Sequence, residues 1–110
     1  MLAIDLAKRC FQVCATDPGS AVLFNRALSR VKLQQLLSDH PPCIVAMEAC
    51  ATSHFWGRFS RGHGHDVRLI PPIYVKPFVK RQKNDAADAA AIAEAALRPN
   101  MHYVEVKSHA

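Results

Sequence analysis

Lys83-Asn84-Asp85-Ala86-Ala87-Asp88 opens the run Ala89-Ala90-Ala91-Ile92-Ala93-Glu94-Ala95-Ala96-Leu97, and the rest of the chain is best read outward from it. Alanine is the strongest helix former, so a helix is expected from Asp85 to Arg98, with Asn84 as its N-cap and Pro99 as its stop. Asp85 and Asp88 are three residues apart and therefore share a face, about one turn from each other. Ile92, four beyond Asp88, continues that face inward, which puts both carboxylates beside the packed edge of the helix. Glu94 falls roughly opposite Asp85 at about 100° per residue and reads as solvated. Alone, acids in a first helical turn need no explanation beyond the macrodipole. Two carboxylates further upstream change the reading.

The first is Asp5, inside the apolar run Leu2-Ala3-Ile4-Asp5-Leu6-Ala7. The run reads as a buried strand, where a carboxylate is costly unless something pairs with it. A metal ion would serve, and so would a buried Arg or backbone N–H groups. The second is Glu48, at the carboxyl end of Cys43-Ile44-Val45-Ala46-Met47-Glu48-Ala49. This run is apolar on both faces, as a central parallel strand should be. In open α/β sheets ligands gather at that strand end.

Between the two acids, Phe11-Gln12-Val13-Cys14-Ala15-Thr16 alternates as a strand and Asp17-Pro18-Gly19-Ser20 has turn composition. With Ala21 to Ala27 as a third strand, the opening is an antiparallel meander. Ser29 is placed to cap a helix from Arg30 to Ser38, which Asp39-His40-Pro41-Pro42 breaks. After Glu48, Thr52 or Ser53 caps a helix to about Arg61, whose Phe55, Trp56 and Phe59 are expected in the core. Gly62-His63-Gly64-His65 reads as a solvated turn, its histidines lacking a further metal ligand at a familiar spacing. Asp66 to Ile70 is a fifth strand ended by Pro71-Pro72, and His102 to Val106 is a candidate short strand near the end. Tyr74 to Lys83 carries Lys76, Lys80, Arg81 and Lys83 with Tyr74 and Phe78, a composition that suits a phosphate backbone and equally a solvated charged linker.

The chain has 110 residues, enough for one core, and a net charge of +5 that favours an anionic partner. Cys10, Cys14, Cys43 and Cys50 form no C-x-x-C pair and are too sparse for a disulfide scaffold, so buried free thiols are expected. Asp5, Lys8 and Arg9 interrupt the opening too early for a signal peptide, and no apolar run reaches membrane-spanning length. A soluble, cytoplasmic protein is expected.

If strand one pairs in parallel with strand four and the last helix packs over that pair, Asp5, Glu48, Asp85 and Asp88 converge at one sheet end. Such a cluster repels itself and raises its own pKa values. Divalent cations resolve that, and hard oxygen ligands suit Mg²⁺ or Mn²⁺. Two such ions about 3.5–4 Å apart stabilise both the attacking and the leaving oxygen of a phosphodiester displacement. The element order is what an α/β, ribonuclease-H-like fold requires: a mixed five-stranded sheet with helices on its faces.

With those residues in view, the chain resembles the N-terminal domain of the DEDD transposases of bacterial insertion sequences, whose fold is RuvC-like. The resemblance is carried by Ile4-Asp5-Leu6-Ala7-Lys8 with Phe11-Gln12-Val13, by Met47-Glu48-Ala49-Cys50, and by Val67-Arg68-Leu69-Ile70-Pro71-Pro72 with Tyr74-Val75-Lys76-Pro77. Lys80-Arg81 through Lys83-Asn84-Asp85-Ala86-Ala87-Asp88-Ala89 is the most specific block. It implies a single domain over residues 1–110 with its core in about 1–98. It puts the family's acidic tetrad on Asp5, Glu48, Asp85 and Asp88, as ligands of Mg²⁺ or Mn²⁺ supporting DNA strand cleavage and exchange. It further implies DNA ends and a target as partners, a guide RNA in some relatives, and homo-oligomers among full-length members. Those members carry a C-terminal serine domain that this sequence lacks, so a truncated gene or an excised domain is expected. The competing readings are a nucleic-acid-binding remnant without chemistry and an actin-like or sugar-kinase-like nucleotide binder. Against the last, no Gly and Thr residues follow Asp5 to cradle a phosphate.

Overall fold

The computed structural model describes residues 1–6, 10–78, 85–99 and 101–107. Strands β1 (Leu2–Asp5), β2 (Phe11–Thr16) and β3 (Val22–Leu28) are followed by helix α1 (Arg30–Asp39), β4 (Ile44–Glu48), α2 (Ser53–Gly62) and β5 (Asp66–Ile70). A short helix α3 (Pro72–Val75) continues into a 3-10 turn at Lys76–Phe78, and α4 (Asp85–Ala96) comes last. The five strands form one sheet in the order β3-β2-β1-β4-β5. The meander is antiparallel, whereas β1, β4 and β5 run parallel. This is the mixed α/β sheet expected from the sequence, and its order is consistent with a ribonuclease-H-like fold.

Local chemistry sets the joints. The Asp17 carboxylate accepts the Ala21 N–H at 2.9 Å, and Ser20 takes a left-handed φ of 68°, which closes the β2–β3 turn. The Ser29 hydroxyl accepts the Lys32 N–H at 3.2 Å and so caps α1.

Alternation along the strands sorts the core into two layers of different grain. Leu2, Ile4, Val13, Val45, Met47 and Leu69 face α1 and α2, where they pack with Leu33, Leu37 and Trp56. Ala3, Cys14, Ala46 and Ile70 face α4, which answers with Ala89, Ala91, Ile92, Ala93, Ala95 and Ala96. Small residues on both sides let α4 lie close against the sheet. With both faces covered, all six residues of β2 are buried rather than every second one.

Several expectations need correction. Phe55 is 40% exposed, and only Trp56 of the three α2 aromatics is fully buried. His102 to Val106 forms no strand; a single antiparallel bridge joins Leu69 to Val104. Val106 instead packs over Gly57, where an added Cβ would approach its Cγ2 to 2.9 Å. His65 is buried, not solvated: its Nδ1 accepts the Cys43 N–H at 3.2 Å and its Nε2 donates to the Leu37 carbonyl at 2.6 Å. It therefore ties the end of α1 to the start of β4. All four cysteines are free, but Cys10 and Cys50 are exposed. Burial pushes the Cys14 and Cys43 thiols up.

Ala95→Leu would overfill the α4–sheet contact and is expected to lower unfolding stability by about 1–3 kcal/mol in urea titration. Glu94→Ala, on the exposed side of the same helix, should stay within about 0.5 kcal/mol of wild type.

Candidate functional site

Asp5 ends β1 and Glu48 ends β4, the two central parallel strands. Their register runs Leu2–Val45, Ala3–Ala46, Ile4–Met47. One further step sets Asp5 beside Glu48 at the usual interstrand spacing of about 4.8 Å. Asp5 lies two residues from Ala3 and Glu48 two from Ala46, so both share the sheet face that α4 covers. The far end of α4, Ala96 and Leu97, lines a hollow with Met1 and Thr16 at the opposite end of β1. The helix thus runs against β1 and brings its first turn, with Asp85 and Asp88, over the carboxyl ends of the strands.

Three of the four acids lie near enough to act on one another. Burial pushes the Glu48 carboxyl above its ordinary range, and the negative charges of Asp5 and then Asp88 push it further. All three side chains are partly buried. Asp85 opens α4, but its side chain lies outside the described residues. Among the described residues, no three Asp, Glu, His or Cys side chains already stand in position to hold an ion. The structure therefore brings Asp5, Glu48 and Asp88 into one electrostatic neighbourhood without closing them into a ligand shell. The donor chemistry fits a hard divalent cation: three carboxylates that repel one another and offer only oxygen.

A positioning chain escaped the sequence reading. Gln12, paired with Asp5 across β1–β2, donates from Nε2 to Asn25 Oδ1 at 2.9 Å. Asn25 Nδ2 in turn donates to the Ala86 carbonyl at 2.8 Å, in the first turn of α4. The meander thereby grips the helix end that carries Asp85 and Asp88. Two amides in neighbouring strands were the available signal, but nothing local names a partner 61 residues away.

Of the basic residues singled out, Lys76 sits exposed in the 3-10 turn. Lys80, Arg81 and Lys83 lie outside the described residues, as does the expected cap Asn84. Tyr74 is exposed, and the Arg98 guanidinium lies 5.3 Å over the Phe78 ring.

A family model described as "Transposase", of the DEDD type, matches residues 2–110. The chain belongs to the DEDD transposases of insertion sequences. The "Probable family 20 transposase" of Pseudomonas aeruginosa is 51% identical over 97% of this chain and 32% of its own length. The "Transposase for insertion sequence element IS1328" of Yersinia enterocolitica is 47% identical over 94% of this chain and 31% of its own. The "Transposase for insertion sequence element IS1111A" of Coxiella burnetii is 40% identical over 98% and 30%. This transposase chain thus spans about a third of the curated relatives it matches. Among the described residues, no helix is long and apolar enough to cross a membrane.

Two tests follow from the geometry. In metal-free protein the Glu48 pKa is higher folded than unfolded, so folding takes up a proton there. The stability this group contributes is whole below its ordinary value of 4.5 and is lost as pH rises through the raised folded value. Glu48→Gln escapes that loss, so in EDTA its melting midpoint should exceed wild type at neutral pH, with the gap closing in acid. Asn25→Ala removes the link from Gln12 to the first turn of α4 and leaves the Gln12 amide without Asn25 Oδ1, and denaturant titration should show a loss of about 1–3 kcal/mol.

Proposed function

We propose that this chain is the metal-dependent DNA-cleaving module of an insertion-sequence transposase, with a RuvC-like site formed by Asp5, Glu48, Asp85 and Asp88. The observation that carries the reading is the raised Glu48 carboxyl, pushed up by Asp5 and Asp88 from two other elements. Like charges gathered at partial burial destabilise the free protein, and a site that binds divalent cations gives that arrangement a purpose. Mg²⁺ or Mn²⁺, when bound, supplies Lewis-acid stabilisation for the oxygens of a phosphodiester displacement.

The chain's own residues set where that chemistry happens. Asp5 and Glu48 are held by the parallel ladder at the rigid centre of the sheet. Asp88, and Asp85 one turn before it, come from a helix tied down by Asn25. Lys76, with Lys80, Arg81 and Lys83 beyond it in sequence, supplies positive charge just ahead of the acids, suited to a DNA backbone entering the site. Such work belongs in the cytoplasm, where a bacterial element's DNA lies.

The second reading is a nucleic-acid-binding module without chemistry. It is favoured by the share of its relatives' length that the chain spans. Incubation with supercoiled plasmid and Mg²⁺ or Mn²⁺ separates the two. Nicking by wild type that falls by about 100-fold or more in Asp5→Asn and Asp88→Asn, with unchanged circular dichroism, supports the first. Salt-sensitive plasmid binding with no nicking in either metal would establish the second.

A further inference from the structure

The rim that carries the acids has a second side. Between α2 and the end of β1 lies a hollow of about 570 Å³, lined among others by Leu6, Arg30, His54, Phe55, Arg58 and Lys107. Leu6 directly follows Asp5, and the lining residues Ala51 and Thr52 come shortly after Glu48. The hollow therefore opens at the same end of the sheet as the carboxylates, on the face turned away from α4.

Its chemistry is the reverse of theirs. Arg30, Arg58 and Lys107 line it, and no carboxylate is among its described lining residues. Phe55 is 40% exposed, the one α2 aromatic left largely outside the core. The Arg30 guanidinium lies 5.1 Å over the Phe55 ring and 5.3 Å over that of Trp56, so its charge is held against both aromatics at the wall of the hollow. The walls are braced: Arg58 Nη1 donates to the Lys107 carbonyl at 2.7 Å, and the Lys107 N–H donates to His54 Nδ1 at 3.0 Å. The segment after α4 is thus fastened to α2 before any ligand arrives. A hollow of this volume takes a small molecule of nucleotide size. An exposed ring beside three cationic side chains is the pairing that holds unpaired bases and their phosphates. A duplex would hide its base faces from Phe55.

We propose that this hollow binds one nucleotide of an unpaired polynucleotide strand, its base against Phe55 and its phosphates against Arg30, Arg58 and Lys107. From there the strand crosses the sheet rim toward Asp5 and Glu48. The inference rests on the nucleic-acid reading above, but it concerns binding alone and needs neither the metal nor the basic segment around Lys76.

The test is fluorescence anisotropy in EDTA, where cleavage is silent, using short labelled single-stranded oligothymidine and oligouridine. Phe55→Ala and Arg58→Gln are each expected to weaken binding by about tenfold, and wild type should prefer single strands to a duplex of equal length. Comparable losses with both oligonucleotides mark a pocket that reads any unpaired strand; a loss confined to one assigns the pocket to DNA or to RNA. Crosslinking of a 5-iodouracil oligonucleotide gives an independent readout, expected on the peptide containing His54 and Phe55. Unchanged affinity in both variants, equal affinity for duplex, or crosslinks confined to residues 72–83 would overturn the pocket. So would a Phe55→Ala phenotype that appears only as altered self-association in light scattering. Plasmid nicking by wild type keeps the two readings apart: nicking without Phe55-dependent oligonucleotide binding overturns the pocket and leaves the cleavage reading standing.

Discussion

Close approach of an alanine helix to a small-residue sheet face is the contact on which the site depends. Ala3, Cys14 and Ala46 present little more than methyl-sized groups to Ala89, Ala91 and Ala95. Dispersion falls steeply with separation, so such a contact is favourable only when it is tight. Tightness lowers the first turn of α4 onto the ends of β1 and β4. Leucines in the same places would bury more area per residue but lift the helix and part Asp88 from Glu48. The opposite face makes up the hydrophobic burial that alanine forgoes, with Trp56, Met47, Leu33 and Leu37. One sheet therefore carries a bulky layer for stability and a thin layer for geometry.

That geometry opposes folding. Glu48 is partly desolvated with Asp5 and Asp88 as neighbours, and each neighbour makes its ionisation harder. Repulsion of this kind would push the helix end away from the sheet if nothing held it. The Gln12–Asn25–Ala86 chain acts at that point, binding the first turn of α4 to the meander by neutral hydrogen bonds. Amides hold the helix end without adding a further charge beside the carboxylates.

The sheet was legible in the sequence because its strands differ in period and polarity. The apolar run at β4 marked a central strand, and the Asp5 and Glu48 acids stood out against apolar neighbours whose burial they contradict. Identity of partners was not legible. His65 looked like part of a solvated turn because two glycine-flanked histidines carry no local sign of a buried acceptor; only the fold brings the Leu37 carbonyl to its ring. Phe55 and Trp56 are adjacent in sequence and equally apolar, yet one is core and the other is not. Helical rotation of about 100° separates them, and which side faces the sheet depends on how α2 docks. Val104 and Val106 had strand composition, but strand formation needs a ladder, and beside β5 only one bridge forms.

Alternation in a strand sends consecutive side chains to opposite faces, and at the end of β1 that rule divides opposite charges. Asp5 turns to α4 and joins the carboxylates; Leu6, the next residue, lines a hollow of the opposite sign. Among the described residues, Asp5, Glu48 and Asp88 are thereby set on one side of this backbone and Arg30, Arg58 and Lys107 on the other. The raised carboxyl thus records like charges gathered on one face, at the strand end where alternation sends Asp5 and Leu6 apart.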